Sequence, residues 1–137
     1  MTRRSRGREV ALQLLFQRDH NPKVDRAAIV QFTNERLQDA PIRQFCLQLY
    51  DGVVAHLAEI DARISAAAEN WRLSRMPTVD RNILRLGAFE LLHTPDTPAA
   101  VAFDEAIELA RRYGTGDSSA FVNGVLDRLR REANPTP

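Results

Sequence analysis

Apolar positions recur at helical spacing along nearly the whole chain. Ile42, Phe45, Cys46, Leu49, Val53 and Leu57 fall at i, i+3, i+4, i+7, i+11 and i+15. They make one stripe on one helix, opened by Pro41, which suits a first helical turn. Ile60, Ile64, Ala67, Ala68 and Trp71 repeat the pattern at once, so the stretch near His56–Asp61 reads as a kink or a tight turn. Earlier, residues 9–18 are rich in helix formers, and Ile29, Phe32, Thr33 and Leu37 form a weaker amphipathic segment. His20-Asn21-Pro22 separates these two, because a residue before proline avoids helical dihedrals.

The second half is more clearly punctuated. Met76-Pro77-Thr78 starts a helix, with Thr78 as N-cap and Asp80 near the positive end of the dipole. Its apolar positions, Val79, Ile83, Leu84, Leu86, Ala88, Leu91 and Leu92, cover more than one face, which predicts a central helix. Thr94-Pro95-Asp96-Thr97-Pro98 breaks it, with Thr97 as the next N-cap. Ala102, Ala106, Leu109, Ala110 and Tyr113 form a stripe ending at Gly114, read as a left-handed glycine stop. Asp117 or Ser118 then caps a last helix with Val122, Val125, Leu126 and Leu129 as its core face. Gly124, inside that helix, suggests close packing, with Asn123 bonding across helices. No alternating run demands a strand. The fold class expected is all-α: one compact domain over 1–137, six or seven helices, with a basic flexible lead over 1–7 and a frayed tail over 132–137.

Composition narrows the function classes. The 137 residues are 44% hydrophobic and 27% charged, ordinary for a globular chain. No apolar run approaches a membrane span and no signal peptide opens the chain, so a cytoplasmic protein is expected. Cys46 is the single cysteine, which excludes an intramolecular disulfide; on an apolar stripe it reads as a small core residue. His20, His56 and His93 lie far apart in sequence without metal-ligand spacing, so no metal site is expected. Gly114-Thr115-Gly116-Asp117 lacks the strand and Lys-Ser/Thr of a phosphate loop and reads as a helix–helix turn. Asp104, Glu105 and Glu108 read as acids at a solvated helix start. No enzyme signature emerges.

Charge placement points elsewhere. Net charge is only +1, with 19 Lys+Arg against 18 Asp+Glu, and Lys23 is the one lysine. Arg3, Arg4, Arg6 and Arg8 put four cations ahead of the first acid, Glu9. Cations are unfavourable at a helix N-terminus, and nothing nearby in sequence offsets them. A nucleic-acid backbone would, as would plain solvent around a solubilising tail. Phe121 lies one residue off the last core stripe, beside Asp117, Ser118 and Ser119. It either caps the core or stacks on an unpaired base.

Four blocks then match one family in order. They are the arginine-rich lead into Arg8-Glu9-Val10-Ala11-Leu12-Gln13; the run from Val79-Asp80-Arg81-Asn82 to Phe89-Glu90-Leu91; Asp104-Glu105-Ala106-Ile107-Glu108-Leu109-Ala110 with Tyr113-Gly114; and Asp117-Ser118 with Phe121-Val122-Asn123-Gly124-Val125-Leu126-Asp127. With these blocks the chain resembles the NusB family of bacterial transcription antitermination factors over nearly its full length. The resemblance implies an all-α domain of two helical halves without catalytic activity or cofactor. It also implies binding of single-stranded boxA-type RNA together with the small-subunit ribosomal protein NusE, within a transcription elongation complex on ribosomal RNA operons. By position it implies RNA contacts at Arg3, Arg4, Arg6, Arg8, Gln13, Phe16, Asp117, Ser118 and Phe121, and NusE contacts around Arg75 and Asp80. A protein-interaction module acting as a regulatory homodimer is the other reading. A methyltransferase is disfavoured, because the chain carries no cofactor-binding segment or catalytic cysteine motif.

Overall fold

The computed structural model describes residues 2–69 and 71–133, and those residues contain seven α-helices and no strand. In chain order they are α1 (Arg3–His20), α2 (Arg26–Arg36), α3 (Ala40–Ala55), α4 (Leu57–Ala67), α5 (Thr78–His93), α6 (Ala99–Tyr113) and α7 (Ser118–Ala133), with a short 3₁₀ turn at Leu73–Arg75 before α5. The first half packs α1 against α2 and α3; the second packs α5, α6 and α7 together with α4. Helix α5 touches both halves. Its residues from Asn82 to Glu90 are all buried, as its multi-faced apolar pattern predicts.

The stripes of α3 and α7 bury Cys46, Leu49, Val53, Val122, Val125, Leu126 and Leu129. The expected break falls at His56, which ends α3 and starts α4. Burial pushes the Cys46 thiol up to about 12, which keeps it a protonated core residue.

Several boundaries differ from expectation. The lead expected to be flexible is helical from Arg3, because Thr2 caps α1 and its hydroxyl accepts the Ser5 N–H at 3.0 Å. Met1 and residues 134–137 of the expected tail lie outside the described residues, while α7 continues to Ala133. Neither Thr78 nor Thr97 caps a helix; Pro77 and Pro98 hold those positions without side-chain bonds. Gly114 has φ −92°, so no left-handed turn requires glycine there. Space does: a Cβ would stand 2.4 Å from the Ser118 hydroxyl oxygen. Gly124 meets nothing within 4 Å and Asn123 is exposed, so neither serves close packing. Trp71 and Tyr113 leave their predicted stripes and are exposed. For Trp71 the cause is the end of α4 at Ala67, followed by Glu69 at φ 45°, which turns the chain out of the helical path.

Candidate nucleic-acid interface

One face of α1 carries Arg6, Glu9, Gln13 and Phe16 at i, i+3, i+7 and i+10, so helical geometry aligns them. Leu12, Gln13, Phe16 and Gln17 form one wall of a groove of about 490 Å³. Phe32 and Arg36 of α2, Val79 of α5 and Tyr113 of α6 complete it. Phe16 is 38% and Tyr113 41% exposed, so both rings offer an open face to the same groove. The Arg36 guanidinium lies 3.5 Å from the Phe32 ring centroid, a cation–π stack at the rim. The Gln13 Oε1 is buried and finds no donor among the described residues. An acceptor in that state favours a ligand or water that donates to it.

Arg36 also lines an adjoining cleft with Arg3, Arg6 and Asp39, so the arginines run into the aromatic groove. Arg3 pairs with Asp39 yet keeps 74% of its side chain exposed. Glu9 sits between Arg6 and Arg112, with Arg112 Nη1 at 3.5 Å, so two cations share one carboxylate. Burial and the neighbouring Glu9 carboxylate both hold the Tyr113 phenol above its ordinary value, which keeps it a hydrogen-bond donor.

The four N-terminal arginines therefore do not act alike. Arg4 is exposed and lies over the Phe45 ring at 4.5 Å, on the other side of α1 from Arg6. Arg8 is buried: its Nε and Nη2 donate to the two Glu90 carboxylate oxygens at 2.7 and 2.9 Å, and Glu105 stands 3.6 Å away. The expectation that nothing in the fold offsets these charges is overturned, and Arg8 is removed from the solvent-facing set. Glu105 is correspondingly no solvated helix-start acid; it also accepts the Ser5 hydroxyl at 2.6 Å.

Two further expectations are corrected by burial. Ser118 is 1% exposed; its hydroxyl donates to Asp80 Oδ1 at 2.8 Å and accepts the Thr115 N–H at 2.9 Å. Asp80 is buried by the same contact, so Ser118 and Asp80 tie the start of α7 to the start of α5 and present nothing to a partner. Arg75 and Asp117 are exposed, as a contact role requires. Phe121 is half-buried and packs edge-on against Trp71 at 5.9 Å, away from the Phe16 groove lining.

Phe32, Arg36, Arg112 and Tyr113 were missed in the sequence. Only the four-residue spacing of Phe32 and Arg36 on one helix could have shown a pair in advance. Histidine spacing misled as well, for the fold brings His56 and His93 together with ring centroids 4.0 Å apart.

The fold and this face define a class: a small all-helical protein with an arginine-edged, aromatic-lined groove of the kind that binds nucleic acid. The family model described as the NusB family matches residues 5–131. The chain is 48% identical over 129 residues to the transcription antitermination protein NusB of Sorangium cellulosum, covering 94% of this chain and 92% of that one. The solved structure of T. maritima NusB is similar at 40% identity and a TM-score of 0.84, covering 96% and 92% of the two chains. A solved complex of the antitermination factors NusB and NusE with dsRNA is similar at 26% identity and a TM-score of 0.87, covering 96% and 98%. The chain belongs to the NusB family, a family of transcription antitermination factors and not of enzymes.

Proposed function

We propose that this chain binds boxA-type single-stranded RNA together with the ribosomal protein NusE, and joins a transcription elongation complex in the cytoplasm to sustain ribosomal RNA operon transcription. The observation that carries the reading is the continuity of two clefts through Arg36. Arg3, Arg6 and Arg36 line one, and Gln13, Phe16, Phe32 and Tyr113 line the other. Phosphates pair with the arginines while unpaired bases lie on Phe16 and Tyr113, whose faces accept any base. The Tyr113 phenol then supplies a donor to base edges, and the half-buried Gln13 side chain turns its amide into the groove to supply an acceptor. A solved NusB relative in complex with NusE and dsRNA supports NusE and RNA as the two partner classes. NusE contacts are assigned to the surface around Arg75, and Asp117 and Phe121 to a secondary RNA contact at the start of α7.

The test is a fluorescence titration of boxA-like RNA, single-stranded and duplexed, with and without NusE. Tighter binding of the single strand, strengthened by NusE, is expected. Absence of binding in every arm removes the RNA reading and leaves the regulatory homodimer, which sedimentation at several concentrations then examines.

A further inference from the structure

On the surface formed by the ends of α3 and α5, away from the RNA groove lining, three metal-ligating side chains meet. His56 stands at the α3–α4 break, Glu59 in the first turn of α4 and His93 at the last position of α5. Each offers one ligand atom, and the three atoms lie within 4.8 Å of one another. We propose that His56, Glu59 and His93 form a binding site for a divalent transition-metal ion of the zinc class.

Two imidazoles and one carboxylate are the donor set that zinc, cobalt and nickel favour over calcium or magnesium. Tetrahedral bonds of about 2.0–2.1 Å set ligand atoms about 3.3 Å apart, so the wider pairs must close and the Glu59–His93 pair must open. That movement is open to His56 and Glu59, which are both exposed. Glu59 Oε1 and His93 Nε2 share a hydrogen bond at 2.5 Å, which the ion would replace. His93 also stands at the C-terminus of α5, where the negative end of the dipole favours a cation.

The placement is built into the core beneath. The Phe89 ring packs under both imidazoles, with centroids 6.2 Å from His56 and 5.6 Å from His93. It reaches that position because Gly52 on α3 has no Cβ; one would stand 2.1 Å from Phe89 Cζ. Helix α5 thus ends against the end of α3, and three protein ligands leave a fourth position for water or another ligand.

The test uses the tag-free, chelator-treated chain titrated with Zn²⁺ by calorimetry and with Co²⁺ by visible absorption. Uptake of one equivalent and a tetrahedral Co²⁺ band are expected. His56→Ala and His93→Ala should each weaken binding about tenfold or more, since even outer-shell changes cost that much. Glu59→Gln should weaken it with the circular-dichroism spectrum unchanged, and His56→Asn serves if an alanine variant does not fold. No uptake with metal in large excess, or equal uptake by the His56→Ala/His93→Ala double variant, overturns the site.

Discussion

Arg8 on α1 and Glu90 on α5 meet as a two-pronged ion pair inside the protein, with side chains only 3% and 2% exposed. The pair pins the first helix to the central one across 82 residues of sequence. Replacing Arg8 strands the Glu90 charge away from water, and replacing Glu90 leaves Arg8 with Glu105 alone, at 3.6 Å. Glu90→Gln is therefore expected to destabilise the fold by about 3–5 kcal/mol, read by chemical denaturation. Arg8→Ala should lower stability in the same way, so its effect on RNA binding reports folding.

The aromatic groove separates two kinds of phenylalanine. Phe16→Ala and Tyr113→Ala are expected to weaken single-stranded RNA binding by about 1–3 kcal/mol each with melting little changed, because both rings are open to solvent. Tyr113→Phe should retain most of the affinity by keeping the ring. Phe121→Ala removes a ring packed on Trp71, so it should lower the melting temperature as well as weaken the secondary RNA contact. A binding titration paired with a thermal melt distinguishes these outcomes.

Two glycines should respond in opposite directions. At Gly52 an added methyl collides with Phe89, so Gly52→Ala is expected to cost about 1–3 kcal/mol by overpacking. Gly124 faces open space at a negative φ. Gly124→Ala should stabilise α7 by about 0.5–1 kcal/mol through lost unfolded-state entropy.

Acid stability depends on Asp19. It accepts from Arg81, Asn82 and Arg85, and Arg85 also pairs with Asp61 on α4. Burial alone would raise the Asp19 carboxyl, but the Asn82 amide and the Arg85 guanidinium outweigh it and hold the group below its ordinary 3.8. A depressed folded value gives stability that is fully present above 3.8 and lost as pH falls through the lower folded value. Between about pH 5 and about pH 3 the parent chain should lose more unfolding free energy than Asp19→Asn, which starts less stable but lacks this titration.

The α3 and α7 stripes were readable because one periodicity within one helix decides burial, and the central role of α5 followed from apolar residues on several faces. Proline and glycine punctuation located the breaks to within a residue or so. Partners far apart along the chain left no local trace: Arg8 with Glu90, Ser118 with Asp80, His56 with His93. The arginine run was visible as charge, but its division into one buried and three outward-facing side chains depends on which helices pack against α1. The groove was half-legible, since Gln13 and Phe16 lie on one helix while Phe32, Arg36 and Tyr113 arrive from two others.

In the proposed RNA complex Arg3, Arg6 and Arg36 carry the phosphate contacts, while Arg8, buried against Glu90, serves the fold. The most direct measurement is the salt dependence of boxA-like RNA affinity, with NusE present, for the parent chain and the Arg3→Ala/Arg6→Ala/Arg36→Ala variant. Three phosphate contacts contribute a slope of about −0.7 × 3, or roughly −2, in log K against log salt. The variant should bind more weakly, with its slope shallower by that amount and its melting curve close to the parent's. Equal affinity and equal slope in the two proteins would contradict the assignment.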